Sequence, residues 1–263
     1  MKNWKDFWSQ KVLGIEKFKL NFYFKKFLYK FFKISLPKYK SQNEYWQKRG
    51  TVYMNEFFDS KYEKREIFFQ DLLLNNIKGL KFDSAFEAGC GFGWNINRLK
   101  NEFPEKKIGG LDFSNTQLEN AKNYCSKEIE FFKGDICDMP IKDNYFDLGF
   151  SVGVFMNIHP SKIEIAVDEI LRVSKKYVVH LEYDENHAEK LLSENRKFKN
   201  NIISYDYKKL YEKKNVKIKK FYNFKDFLNE YNIFMKNLND KLETWEDWEG
   251  PSKYILIVVE KVT

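Results

Sequence analysis

The stretch Ser84–Leu99, SAFEAGCGFGWNINRL, sets three glycines at alternate positions (Gly89, Gly91, Gly93) behind an acid, Glu87. The apolar run before them, residues 84–88, reads as a strand. The residues after them, 94–103, read as a helix stopped at Pro104. Two familiar glycine loops do not fit. A phosphate-binding P-loop needs Gly-Lys-Ser or Gly-Lys-Thr after four spacer residues, and none follows. A dinucleotide fingerprint needs G-x-G-x-x-G, but counting from Gly89 the last position is Trp94, and from Gly91 it is Ile96. What remains is E-x-G-x-G-x-G between a strand and a helix.

Downstream, strands and helices alternate. "KKIGGLDF" reads as a strand and "SNTQLENAKNYC" as a helix that Ser114 caps. "IEFFKGDI" and "YFDLGFSVGV" read as strands, "KIEIAVDEILRVS" as a helix and "KYVVHLEY" as a strand. This order predicts an α/β protein with a parallel, doubly wound sheet, whose ligand sits beyond the carboxyl ends of the strands. Two acids fall at those ends. Asp112 closes the second strand, where a carboxylate can accept both hydroxyls of a ribose, and Asp135 follows the third. Beyond residue 200 a helix and a strand are expected, then a strongly apolar final strand in "KYILIVVEKV". Between those strands lies an insert at about 224–250. In it Phe224, Phe227, Leu228, Tyr231, Met235, Leu238, Leu242 and Trp245 recur at helical spacing.

"FEAGCGFG", "GGLDFSNTQLENAK", "FFKGDICDMPIKDNYFDLGFSVGVFMNI" and "DEILRVSKKYVV", in that order, resemble class I S-adenosylmethionine-dependent methyltransferases over roughly residues 80–185. The resemblance implies a Rossmann-like, seven-stranded sheet completed by an antiparallel C-terminal pair. It implies S-adenosylmethionine as cofactor, with Glu87, Gly89, Gly91 and Gly93 around its methionyl part and Asp112 on its ribose. Phe113 would flank the adenine, Asp135 and Ile136 would meet the adenine edge, and Ser151 would line the methyl-transfer pocket. The cofactor carries no phosphate, so the loop needs no lysine. The helix N-terminus suits its carboxylate and an acid suits its positive groups.

Methyl transfer is an in-line displacement in which alignment and exclusion of water are the enzyme's main tasks. A hydroxyl acceptor gains from a base, and His159 in "FMNIHPSK" is the candidate. Its alternative role is to cap a turn before Pro160. Asn157 and His187 are further polar candidates on the acceptor side. Trp46, Arg49 and Tyr53 in "NEYWQKRGTVYMNEFF" match the aromatic N-terminal segment that closes the site in related methyltransferases, or they pack that helix on the sheet. His180, inside a strand, reads as a satisfied core histidine. No cluster of His, Cys, Asp and Glu has metal-ligand spacing, so no metal is expected.

The net charge of +8 is uneven: residues 1–40 carry eleven lysines against two acids, and the rest of the chain is close to neutral at −1. Within that arm Leu20, Phe24, Phe27, Phe31 and Ile34 share one helical face, with lysines on another. Lysines interrupt every apolar run, so the arm is not a membrane span. Its pattern suits a helix lying in an anionic lipid interface, or one packed on the domain or on another subunit. Aromatics this dense, with lysine and no arginine, argue against a nucleic-acid partner. Three cysteines without paired spacing, and no signal peptide, predict a reduced, cytoplasmic protein.

The resulting division is a basic helical arm (1–40), a lid segment (41–80) and a methyltransferase domain (81–263). The expected reaction is O-methylation of a glycan or lipid-associated acceptor at the cytoplasmic membrane surface. The rival readings are a soluble small-molecule methyltransferase and a non-catalytic methyltransferase-like module.

Overall fold

The computed structural model describes residues 11–32, 34, 42–59, 62–186, 203–238 and 254–262. Two short strands, β1 (Lys11–Val12) and β2 (Ile15–Glu16), pair across a turn at Leu13 and Gly14. Gly14, at φ 80°, takes the left-handed conformation that reverses the chain. Then follow α1 (Lys17–Phe32), α2 (Gln42–Asp59) and α3 (Tyr62–Lys78). The sequence from Trp4 to Trp8, Pro37, and Leu242 and Trp245 of the insert lie outside the described residues.

The alternating part comprises β3 (Ser84–Ala88), α4 (Trp94–Glu102), β4 (Lys107–Asp112), α5 (Asn115–Tyr124), β5 (Glu130–Lys133), β6 (Phe146–Val152), α6 (Ile163–Val173) and β7 (Ser174–Glu182). It continues with α7 (Tyr207–Glu212), β8 (Val216–Tyr222), α8 (Phe224–Asn237) and β9 (Ile255–Lys261). The sheet has seven strands in the order β5-β4-β3-β6-β7-β9-β8. The first five are parallel, and β9 runs antiparallel between β7 and β8. This is the doubly wound, Rossmann-like sheet expected. The chain reverses its winding at β3, so the crevice at the tips of β3, β4 and β6 is the ligand position of such folds.

Strands buried on both faces are mostly apolar along their length, which is why "ILIVV" reads as a continuous run and "YVVHL" is broken only by His180. One face of the sheet packs Phe69, Leu73 and Ile77 of α3, Ile96 and Leu99 of α4, and Phe227 and Tyr231 of α8. The other packs Val167 and Ile170 of α6 and Tyr207 and Tyr211 of α7. Each fully buried side chain of this size contributes about 1.5–3 kcal/mol. Element ends follow local chemistry. Ser114 Oγ accepts the Gln117 amide to cap α5, and Asn223 with Asp226 forms a reciprocal cap on α8.

α2 docks on α5 at Gly50. Asn120 Nδ2 donates to the Gly50 carbonyl at 2.9 Å, and a Cβ at Gly50 would stand 3.3 Å from Thr116 and Gln117 side chains. α3 is fixed to α4 by Gln70, whose Nε2 donates to the Trp94 carbonyl at 3.1 Å and whose Oε1 accepts from Arg98 at 2.7 Å. These contacts bring both N-terminal helices over the crevice.

Candidate active site

A cavity of about 220 Å³ lies over the tips of β3, β4 and β6, with α2 and α3 on its far side. At its cofactor end the chain leaves β3 and turns back. The Gly89 and Cys90 amides both donate to the Leu111 carbonyl, at 2.7 and 2.9 Å. Gly89 has φ 79°, and a Cβ there would fall 2.4 Å from Val154 Cγ1, so only glycine fits. Gly93, at φ 88°, occupies the cap of α4 without lining the cavity. A Cβ there would meet Cys125 Sγ at 2.2 Å.

Asp112 sits across the loop. Its Oδ2 accepts the Gly91 amide at 3.0 Å and its Oδ1 the Ser114 amide at 2.8 Å. Burial raises its carboxyl pKa while these amide donors hold it down. Each oxygen keeps acceptor capacity toward the cavity, the arrangement a ribose diol needs. Phe113 and Ile136 line the same end.

Glu87, in β3, faces the cavity from within the sheet. Its Oε1 accepts from Asn95 Nδ2 at 2.8 Å, while Oε2 is buried with no hydrogen-bond partner. Burial pushes this carboxyl up to about 8. An orphaned carboxylate oxygen beside a helix N-terminus fits a ligand that brings an ammonium and a carboxylate together. The residues present therefore suit the amino-acid end of S-adenosylmethionine, as Asp112 suits its ribose.

At the acceptor end Trp46, Tyr53 and Phe57 of α2 face Phe69 of α3, Tyr183 after β7 and Tyr254 before β9. The rings interlock: Trp46 and Tyr53 meet edge-on at 5.7 Å, Tyr53 and Phe92 at 5.8 Å, and Phe69 and Tyr254 at 4.8 Å. Met156 and Asn157 close this end from the loop after β6. Glu66 and Gln70 of α3 and Gln117 of α5 also reach the cavity, although no local motif marks them. Among the described lining residues there is no Lys, Arg or His.

Five expected positions do not line the cavity. Asp135 is exposed, because its Oδ1 accepts the Cys137 amide at 2.9 Å and closes the turn after β5. Ser151 is fully buried inside the sheet, bonded to His180 and Glu182, so it cannot line the transfer pocket. His159 is exposed, with Nδ1 2.8 Å from Ser161 Oγ in its own turn, which is the capping alternative and not a base over the cavity. Arg49 pairs with Glu56 and lies over the Tyr53 ring at 5.3 Å, outside the cavity lining. Gly93 shapes the loop from behind. His187 lies outside the described residues. His180 is the satisfied core histidine expected. Among the described residues no group of three or more His, Cys, Asp or Glu could hold a metal ion.

A glycine-turned loop without the phosphate-binding lysine motif, an acid at the next strand tip held by two backbone amides, and a buried acid with one oxygen unpartnered suit a nucleoside that carries a sulfonium amino acid. The comparisons agree. Residues 85–177 match the family described as methyltransferase domain. Over 120 residues the chain is 31% identical to a sterol 24-C-methyltransferase of Pneumocystis carinii (strain B80), covering 41% of this chain and 31% of that protein. Over 108 residues it is 32% identical to a malonyl-[acyl-carrier protein] O-methyltransferase of Buchnera aphidicola subsp. Baizongia pistaciae (strain Bp), covering 40% of each. The chain thus spans well under half the length of these curated relatives. A chain from the complex of the Haloferax volcanii Trm112 methyltransferase activator with a candidate methyltransferase shares the fold at a TM-score of 0.54. It is 16% identical, and 83% of this chain and 94% of that one are covered. Fold, site and family match together mark residues 85–177 as a methyltransferase domain of the class I, S-adenosylmethionine-dependent kind.

Proposed function

We propose that this chain methylates an uncharged, lipid-associated acceptor at an anionic membrane surface. The observation that carries the reading is the acceptor end of the cavity. It is walled by Trp46, Tyr53, Phe57, Phe69, Tyr183 and Tyr254, with no cationic side chain among the described lining residues. Such a wall suits an apolar body and, among the described lining residues, sets no cationic side chain against a phosphate or carboxylate.

The bound cofactor supplies an electrophilic methyl carbon and a neutral thioether leaving group. The chain's own residues position and exclude. Asp112 and Glu87 orient the two ends of the cofactor, the ring wall presses the acceptor toward it, and α2 covers the crevice against water. Aromatic faces also stabilise positive charge that develops on an acceptor. His159 faces solvent, so the O-methylation reading no longer rests on it, and the methylated atom is a matter for product analysis.

The exposed arm supports a lipid surface. Phe24, Phe27 and Phe31 of α1 are half or more exposed on one face. Lys26 and Lys30 are exposed along the same helix. Among the described residues no helix is long and apolar enough to cross a membrane. A sterol, the substrate named for one of the curated relatives, is of the apolar kind this cavity suits.

The test uses the full chain, methyl-labelled S-adenosylmethionine and two acceptor preparations, total lipids in phosphatidylglycerol-containing vesicles and delipidated soluble glycans. Label in the lipid phase, lost in Asp112→Ala, is the expected result. Mass spectrometry of the product then locates the methyl group. Label confined to the soluble fraction overturns the lipid reading.

A further inference from the structure

Behind the acceptor wall runs a row of polar side chains that contacts neither the cofactor end nor the solvent. Tyr211 Oη lies 2.5 Å from His180 Nε2, and His180 Nδ1 lies 2.7 Å from Ser151 Oγ. Ser151 Oγ lies 2.7 Å from Glu182 Oε1. All four side chains are at most 1% exposed. The same Glu182 oxygen accepts the Val154 amide at 2.9 Å and the Phe155 amide at 3.2 Å.

One order of protons satisfies the row. His180 is neutral, because burial drives it down to about 3 and both its partners are hydroxyls. Ser151 donates to Glu182, His180 donates from Nδ1 to Ser151, and Tyr211 donates to Nε2. In the reverse order the Tyr211 proton finds no acceptor in the row, and Glu182 loses a donor.

The row ends on the loop that closes the acceptor end. Val152, Gly153, Val154, Met156 and Asn157 all line the cavity, and Gly153 is pinned by its amide to the Leu181 carbonyl at 2.9 Å. Val154 is also the residue against which Gly89 of the cofactor loop rests. Glu182, through the Val154 and Phe155 amides, thus helps to hold the backbone that carries the acceptor wall and the stop for the cofactor loop.

We propose that Glu182 is a positioning residue for methyl transfer, holding the 153–157 loop so that acceptor and cofactor meet in line. The effect on turnover rests on the methyltransferase reading; the effect on the loop does not. The carboxylate acts as an acceptor, so Glu182→Gln keeps the function: its amide oxygen takes the three donors and its NH₂ replaces the unpartnered Oε2. Glu182→Leu has similar bulk and no acceptor.

Hydrogen exchange by mass spectrometry is read on the full chain, with S-adenosylhomocysteine affinity by calorimetry. In Glu182→Leu, peptides spanning 152–158 are expected to exchange at least about tenfold faster, as two amide bonds to a buried acceptor are lost. The core strands stay protected, cofactor affinity changes by no more than about threefold, and kcat on the lipid preparation falls at least about tenfold. Glu182→Gln restores all of these. If Glu182→Leu does not fold, Ser151→Ala is expected to move the same peptides in the same direction by less. Unchanged exchange over 152–158, or a Gln variant as defective as the Leu variant, overturns the proposal. Altered exchange without any lipid methylation would strike at the acceptor and leave Glu182's hold on the loop standing.

Discussion

Glu87 is a carboxyl that the fold keeps protonated until something cationic arrives. Its pKa is raised from 4.5 to about 8 by burial, with Asn95 and the α4 backbone opposing too weakly to cancel that cost. The folded state therefore holds a proton that the unfolded chain releases above pH 4.5. Its contribution to stability falls as pH rises from about 4.5 to about 8, opposite to an ordinary salt-bridged acid. A ligand ammonium pairs with the ionised form. Affinity for S-adenosylhomocysteine should then rise with pH up to about 8, by at most about tenfold per unit, with proton release on binding. Calorimetry between pH 6 and 8 in buffers of different ionisation enthalpy reads both effects. In Glu87→Gln the slope and the proton release should vanish and binding should be weaker at pH 8. A slope that persists in that variant would assign the titration elsewhere.

At the scale of elements, the strand–loop–helix unit from β3 to α4 is built around backbone conformations that side chains resist. Gly93→Ala meets two obstacles: φ 88° at the cap and Cys125 Sγ at 2.2 Å from the new Cβ. The left-handed cost is about 1–2 kcal/mol and overpacking adds about 1–3 kcal/mol, so urea denaturation should show a loss of about 2–5 kcal/mol. Adding Cys125→Ala should recover the packing part and leave the backbone part. Full recovery would mean the loop relaxes its φ. This unit was legible in the sequence because parallel strands give unbroken apolar runs and glycine marks their ends. Asp112 and Glu87 were legible because strand tips are where such sheets bind. Tyr183, Tyr254, Glu66 and Gln70 were not, since they reach the cavity through long-range packing that no local spacing encodes. Asp135, Ser151 and His159 stand at the right ends of strands but face the wrong way. The Cys137 amide, the buried His180 and Ser161 claim their polar atoms, and a turn's direction by one residue decides that competition.

Over the whole molecule the charge is partitioned, with +9 on residues 1–40 and −1 on the remainder. The exposed rings of α1 have no place in a folded domain's energy unless something covers them, and lysines beside them set the sign of the covering surface. An interfacial helix inserts its rings to the depth of the headgroups and leaves its amines among anionic lipids, each contributing about 1 kcal/mol. A chain lacking residues 1–40 should therefore lose flotation with phosphatidylglycerol vesicles while its S-adenosylhomocysteine affinity stays within about twofold. The full chain should float with anionic vesicles, less with neutral ones, and progressively less as salt rises from about 50 to 500 mM and shortens the screening length. If the truncated chain floats as well as the full one, the arm is not the anchor. If it binds the cofactor tenfold more weakly, the arm belongs to the lid over the crevice and its rings are covered by protein.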